Sequence, residues 1–254
     1  MTEPLLEARD VVKTFGRVQA LRGANFTVYP NEVVALIGDN GAGKTVLVKC
    51  LSGVFQPDAG EILVEGKPVR LDSPLAAMQR GIETVYQDLA LADDLEAPAN
   101  LFLGRERLMA GPLGWLGVLD RKKMREEATA AFRELGVQLQ DVRMPIESLS
   151  GGQRQSVAVA RSVVWASRVV LLDEPTAALG VVQRANVLQV IRNVRDRGVA
   201  VVLISHNMPE VLEVADRIEV LRLGRRVARF HAPDTTLERL VGAMTGALVQ
   251  EGAA

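Results

Sequence analysis

Residues 33–52 read VVALIGDNGAGKTVLVKCLS, and no other stretch limits the possible folds of this chain so tightly. Val33–Ile37 has the length and β-branched content of a buried strand. The next eight residues, Gly38, Asp39, Asn40, Gly41, Ala42, Gly43, Lys44 and Thr45, fit G-x-x-x-x-G-K-[ST], the P-loop. A composition like this one gives about 0.003 chance matches to that pattern. Glycines let backbone N–H groups curl around phosphate oxygens. The helix expected from Val46 to Ser52 directs its positive N-terminus at the same point. Gly38 to Val46 thus form a phosphate-binding set, in which Lys44 reaches the β- and γ-phosphates and the Thr45 hydroxyl ligates Mg²⁺.

The rest of the chain reads as an α/β protein around that unit. Val169–Leu172 and Val199–Ile204 are further short apolar runs, alternating with helical stretches. Leu6–Val12 and Ala24–Val28 read as strands about a turn, a small antiparallel sheet that Glu61–Val64 could join. Arg121–Leu135 is a charged helix closed by Gly136, and Gly104–Asp120, with four Gly and one Pro, reads as a loop. The expected organisation is one domain, 5–249. Its core comprises 5–87 and 156–249, and a mostly helical insertion spans about 88–155. The Arg222–Arg229 stretch reads as an exposed strand edge carrying solvated charge.

Composition excludes several classes. At 254 residues, 48% of them hydrophobic, the chain can bury roughly 70–75% of its surface without staples. Thirty basic against 31 acidic residues leave no excess for nucleic acid, so no nucleic-acid partner is expected. The single Cys50 excludes an internal disulfide and a Cys-rich zinc site, and is expected in the core. The start of the chain lacks signal-peptide character, and no apolar run reaches the ~18–20 residues of a membrane span. If the chain works at a membrane, it does so by docking onto another subunit.

Two further motifs carry chemistry. Arg168-Val-Val-Leu-Leu-Asp173-Glu174 has Walker B form: a buried strand ends at Asp173, which can hold Mg²⁺, and Glu174 is placed to polarise water as a general base. In Leu149-Ser150-Gly151-Gly152-Gln153, Ser150 and Gln153 fit a capping box, so a helix begins there. Its N-terminus offers a second anion-binding surface. A plain capped helix is the alternative for the pentapeptide alone.

P-loop, LSGGQ and Walker B in this order resemble the ATP-binding subunit of an ABC transporter over nearly the whole chain. The resemblance implies two ATP molecules sandwiched in a head-to-tail dimer, with Ser150, Gly151, Gly152 and Gln153 of each subunit closing over ATP on the other. It implies further that Gln87 contacts Mg²⁺ and water, and that His206, 32 residues beyond Glu174, hydrogen-bonds the γ-phosphate. Phe15 sits where the family places an adenine-stacking aromatic, with core packing as the alternative. One position departs: Glu174-Pro-Thr-Ala-Ala178-Leu-Gly180 carries Gly180 where the family commonly has an aspartate that crosses the dimer interface.

Gly81-Ile-Glu-Thr-Val-Tyr-Gln-Asp-Leu, Ala99-Asn-Leu-Phe-Leu-Gly-Arg-Glu106 and Glu174-Pro-Thr-Ala-Ala-Leu-Gly180 are similar to the ribose, xylose and fructose importers, a resemblance that implies Gly180 is a trait of that branch rather than damage. The expected function is therefore the motor of an importer, for which a simple sugar is the expected cargo. It would bind ATP and Mg²⁺, dock on an integral membrane permease at the cytoplasmic face of the membrane, and work indirectly with a periplasmic or extracellular solute-binding protein. The alternative is a soluble, nucleotide-switched regulator without a permease.

Overall fold

The computed structural model describes residues 3–85, 90–177 and 179–248. Two sheets organise them. In chain order come β1 (Leu6–Phe15), β2 (Val18–Val28), β3 (Val33–Ile37), α1 (Lys44–Leu51), β4 (Ala59–Val64), β5 (Lys67–Val69), α2 (Pro74–Gln79) and β6 (Ile82–Val85). Next are α3 (Ala97–Leu101), α4 (Pro112–Trp115), α5 (Arg121–Leu135), α6 (Gly151–Trp165), β7 (Val169–Asp173), α7 (Val181–Asp196) and β8 (Ala200–Ile204). The chain continues through α8 (Met208–Val214), β9 (Arg217–Arg222), β10 (Arg225–His231) and α9 (Leu237–Thr245).

The larger sheet has the order β10-β9-β3-β8-β7-β6, parallel throughout except for the β9–β10 hairpin. Its central strands are unbroken apolar runs because both faces are covered. On β3, Val33, Ala35 and Ile37 face a core shared with α5, α6 and α7, while Val34 and Leu36 face a second core shared with α1 and the antiparallel sheet. β7 and β8 divide their side chains in the same way. Truncating one such residue, Leu36→Ala for example, costs about 2–5 kcal/mol. The functional consequence lies in direction. β3, β7 and β8 run parallel, so Gly38, Glu174 and Ser205 all emerge at the carboxyl edge, where α/β sheets bind ligands.

The smaller sheet, β2-β1-β4-β5, is antiparallel and extends further than the sequence suggests. β1 and β2 run on to a tight turn in which Phe15 pairs with Val18 and Gly16 takes φ 57°. β4 pairs with β1, as the sequence of 61–64 suggests. Between β6 and β7 the named elements of the described chain are all helices. α5 matches its expected bounds and closes on Gly136 at φ 75°, in the left-handed region.

Three readings need correction. The glycine-rich stretch 104–120 is not loop throughout: it holds the one-turn α4, initiated by Pro112, whose ring presets a helical φ. Val199 precedes β8, which starts at Ala200. The arginines of β10 are not simply solvated, because Arg226 and Arg229 turn with Arg217 onto the fully buried carboxylate of Glu219. Sequence alternation marked the edge strand but not the buried acid beneath it.

Candidate functional site

The P-loop is built by close backbone approach. Gly38 follows β3 with φ 152°, and any side chain there would strike the Leu221 carbonyl. Gly43 takes φ 102°, and a Cβ on it would lie 2.8 Å from the Ala20 carbonyl. Both positions therefore require glycine. Gly43 opens α1 with no side-chain cap, so the helix does not spend its first-turn N–H groups on a side chain of its own. Lys44 Nζ donates to the Gly38 carbonyl at 2.7 Å and to the Asp39 carbonyl at 3.1 Å, curling over the loop. Beside it lies a cleft of about 420 Å³, lined by Val18, Ala20, Arg22, Leu223 and the stretch Asn40–Val46.

Two carboxylates, consecutive at the end of β7, face this loop. Asp173 ends β7 and is buried; burial raises its pKa above the usual range, the Glu174 charge adds to the rise, and Lys44 opposes it. Burial lowers the Lys44 pKa against the pull of Glu174, Asp173 and Asp39. Glu174 sits at φ 54°, a strained conformation for a non-glycine residue, with its N–H bonded to the Ile204 carbonyl of β8 at 3.0 Å. Its carboxylate reaches His206 Nδ1 at 2.7 Å, and the imidazole is largely exposed. The sheet thus holds a candidate base beside a histidine and a lysine, at an edge open to solvent. These groups can orient water and stabilise charge on a phosphoryl group.

Ser150 begins α6 with a complete capping box. Its Oγ accepts from the Gln153 N–H at 3.3 Å, and its own N–H donates to Gln153 Oε1 at 3.0 Å. Gly152 lies against α7, where a Cβ would come 2.5 Å from Gln183 Cβ. No residue of α6 lines the P-loop cleft. The fold therefore brings Lys44, Asp173, Glu174 and His206 together and turns Ser150–Gln153 toward a different surface.

Residues 21–177 match the ABC transporter family. The chain is 53% identical over 247 residues to the fructose import ATP-binding protein FrcA of Rhizobium meliloti, covering 96% of this chain and 95% of that protein. The chain belongs to the ABC transporter family. A xylose/arabinose import ATP-binding protein of Sulfolobus acidocaldarius is 46% identical, covering 95% of the cassette and 94% of the relative. The cassette spans about half the length of some other relatives: it covers 47% of a ribose import ATP-binding protein of Burkholderia pseudomallei, at 41% identity over 96% of its own length. Its fold matches a crystal structure of an ATP-binding cassette of an ABC transporter with TM-score 0.83 and 23% identity, over 98% of this chain and 100% of that one. A dimeric bacterial cassette matches with TM-score 0.73 and 22% identity, covering 89% and 98%.

Other expected site residues are placed differently in this cassette. Phe15 does not line the P-loop cleft; its ring packs edge-on against Phe55 at 5.2 Å, with Lys13 Nζ 5.7 Å from its centroid. Val18, two-thirds exposed, stands in the cleft instead. Gln87 and Ala178 lie outside the described residues. Gly180 forms the N-cap of α7 without a side-chain bond. Sequence reading missed Glu210, buried on α8 and bonded by Thr176 and Asn207. Its signal was faint: an acid four residues past His206, in a short helix that also carries Glu213.

Proposed function

We propose that the cassette is the ATP-hydrolysing motor of an ABC importer whose cargo is a simple sugar. The observation that carries the hydrolytic reading is the Glu174–His206 pair, 2.7 Å apart at the same sheet edge as the P-loop lysine. The sugar assignment is supported by the import names of the relatives.

In this reading ATP is the substrate, and its phosphates take the N–H groups of Gly41 to Val46 together with the Lys44 ammonium, which leaves its loop carbonyls. Thr45 and Asp173, with Gln87, offer the hard oxygen donors that suit Mg²⁺, and a buried carboxylate beside a second one suits a cation. Bound there, Mg²⁺ would neutralise phosphate charge. Glu174 orients a water for in-line attack and accepts its proton, while His206 and Lys44 stabilise charge on the transferring group. Phe15 is assigned to the adenine, which requires its ring to leave Phe55.

The signature residues Ser150, Gly151, Gly152 and Gln153 point away from this chain's own cleft, which supports their serving a second copy in a head-to-tail dimer. We further assign residues 5–249 to one ATPase domain with its helical insertion at about 88–155. This insertion is proposed to dock on the membrane permease. Leu103, Leu108, Leu113, Trp115 and Leu116 are exposed there, Trp115 by 93%, near a cleft of about 440 Å³ between α3 and α5. The solute-binding protein acts on the permease from the far side, placing the cassette on the cytoplasmic face. Among the described residues, no helix is long and apolar enough to cross a membrane.

Glu174→Gln tests the chemistry. It should keep ATP binding, lose roughly 10²–10⁴-fold in hydrolysis and accumulate an ATP-bound dimer. Near-normal turnover would remove Glu174 from its role. Pull-down of the same variant with ATP from gently solubilised membranes should recover a polytopic permease; recovery of soluble partners alone would favour a regulator.

A further inference from the structure

Two short segments carry the hydrolytic pair, and a buried side chain on the second ties them together. Glu174 leads into Thr176, Ala177 and Leu179; His206 leads into Asn207 and α8. Between them lies Glu210, whose side chain is 6% exposed and uses both oxygens. Oε2 accepts from Thr176 Oγ1 at 2.5 Å, and Oε1 accepts from Asn207 Nδ2 at 2.8 Å. Arg184 Nε, from the first turn of α7, lies 2.8 Å from the same Oε1, a close charge contact without hydrogen-bond alignment. The other end of that guanidinium donates to the Leu179 carbonyl at 3.2 Å.

The neighbour of Arg184 faces the other way. Gln183 packs its Cβ and Cγ on Gly152, at the start of the signature helix, where a Cβ would stand 2.5 Å and 2.6 Å from them. One turn of helix therefore touches the signature surface through Gln183 and, through Arg184, the buried carboxylate that holds the segments after Glu174 and His206.

We propose that the Arg184–Glu210 pair positions the Glu174 and His206 segments and links them to the signature surface. Glu210 is a positioning residue: it touches no reacting atom and acts through Thr176 and Asn207. A displacement of α7 at the signature face moves Arg184 against Glu210, and with it the register of base and histidine. A misplacement of about 1 Å can cost roughly 10²-fold in rate. The inference rests on the hydrolytic reading of Glu174 and His206.

The test uses the full-length chain with Glu210→Gln, which keeps size and acceptor oxygen but loses the ion pair, alongside Arg184→Ala and Arg184→Lys. Three readings are taken: kcat and KM for ATP, ATP affinity by calorimetry, and amide exchange in 176–180 and 205–208. For Glu210→Gln and Arg184→Ala, kcat should fall roughly 10–100-fold with ATP affinity held within about threefold, and Arg184→Lys should restore most of the loss. Amide exchange should quicken in both segments even without nucleotide. Turnover within about twofold of wild type overturns the proposal, as does unchanged exchange. Parallel loss of affinity, turnover and thermal stability overturns it too, since that reduces Glu210 to a structural role. Wild-type turnover in Glu174→Gln would instead sink the hydrolytic reading, while the exchange result would still judge the Glu210 link.

Discussion

Two helices in this cassette begin at glycine-rich, anion-attracting N-termini, and they begin differently. α1 starts at Gly43, in the left-handed region, with no side chain capping its first turn. α6 starts at Ser150, in extended conformation, with a reciprocal capping box. The first helix is eight residues long and holds its N–H groups ready for a ligand; the second is fifteen residues long and has already satisfied part of its own end. An uncapped end attracts a phosphate by itself, whereas a capped one contributes most once another surface brings the ligand to it. In the proposed dimer, the difference would separate a primary nucleotide site from a surface that completes a partner's site.

The largest expected effect comes from emptying the uncapped end. Lys44→Ala removes the only ammonium hydrogen-bonded to the P-loop carbonyls among the described contacts. Losing a charge-assisted bond to phosphate costs about 3 kcal/mol, so ATP affinity of the isolated chain should fall roughly 150-fold by calorimetry. Unchanged affinity would break the comparison at its first term, because α1 would then not be the primary site.

A second test asks whether α1 can keep its open end because its back is anchored. Leu47, Val48, Cys50 and Leu51 are buried behind the P-loop. Burial pushes the Cys50 thiol from an ordinary 9.0 up to about 11. The folded value exceeds the unfolded one, so this contribution is complete below about 9 and is lost as pH rises through the window to about 11. Between about pH 8.5 and about pH 10.5 the wild-type chain should lose about 2 kcal/mol more stability than Cys50→Ala, measured by denaturant titration. Equal pH slopes would mean that α1 is not firmly docked.

Much of this contrast was legible in the sequence, and the limits are physical. G-x-x-x-x-G-K-T after an apolar run states a backbone path, because Gly38 and Gly43 are required by close approach and positive φ rather than by choice of partner. Ser150 and Gln153 likewise announce their own bonds, since a capping box is local. Most of what could not be read was non-local. Glu210 reaching Thr176, 34 residues away, and Phe15 leaning on Phe55 depend on residues far apart in sequence, whereas Glu219 meets its arginines within one hairpin, where the alternation of β10 gave no sign that an acid lay buried beneath. The one-turn α4 was hidden for another reason: its four-residue length is too short for periodicity to register.

The smallest effect falls on the capped end. Ser150→Ala leaves the P-loop intact, so ATP affinity of the isolated chain should stay at the wild-type value. The lost cap should lower stability by about 1 kcal/mol, or roughly 2–4 °C in melting temperature for a domain of this size. The Gln153 amide loses its acceptor while Gln153 Oε1 still takes the Ser150 backbone N–H, so the helix end frays rather than unravels. In the proposed head-to-tail dimer, hydrolysis should suffer far more than this stability loss explains, because the hydroxyl would be withdrawn from the partner's phosphate. If instead Ser150→Ala weakened nucleotide binding by the single chain, the second helix end would be reaching its own P-loop, and the division of labour between α1 and α6 would have to be redrawn.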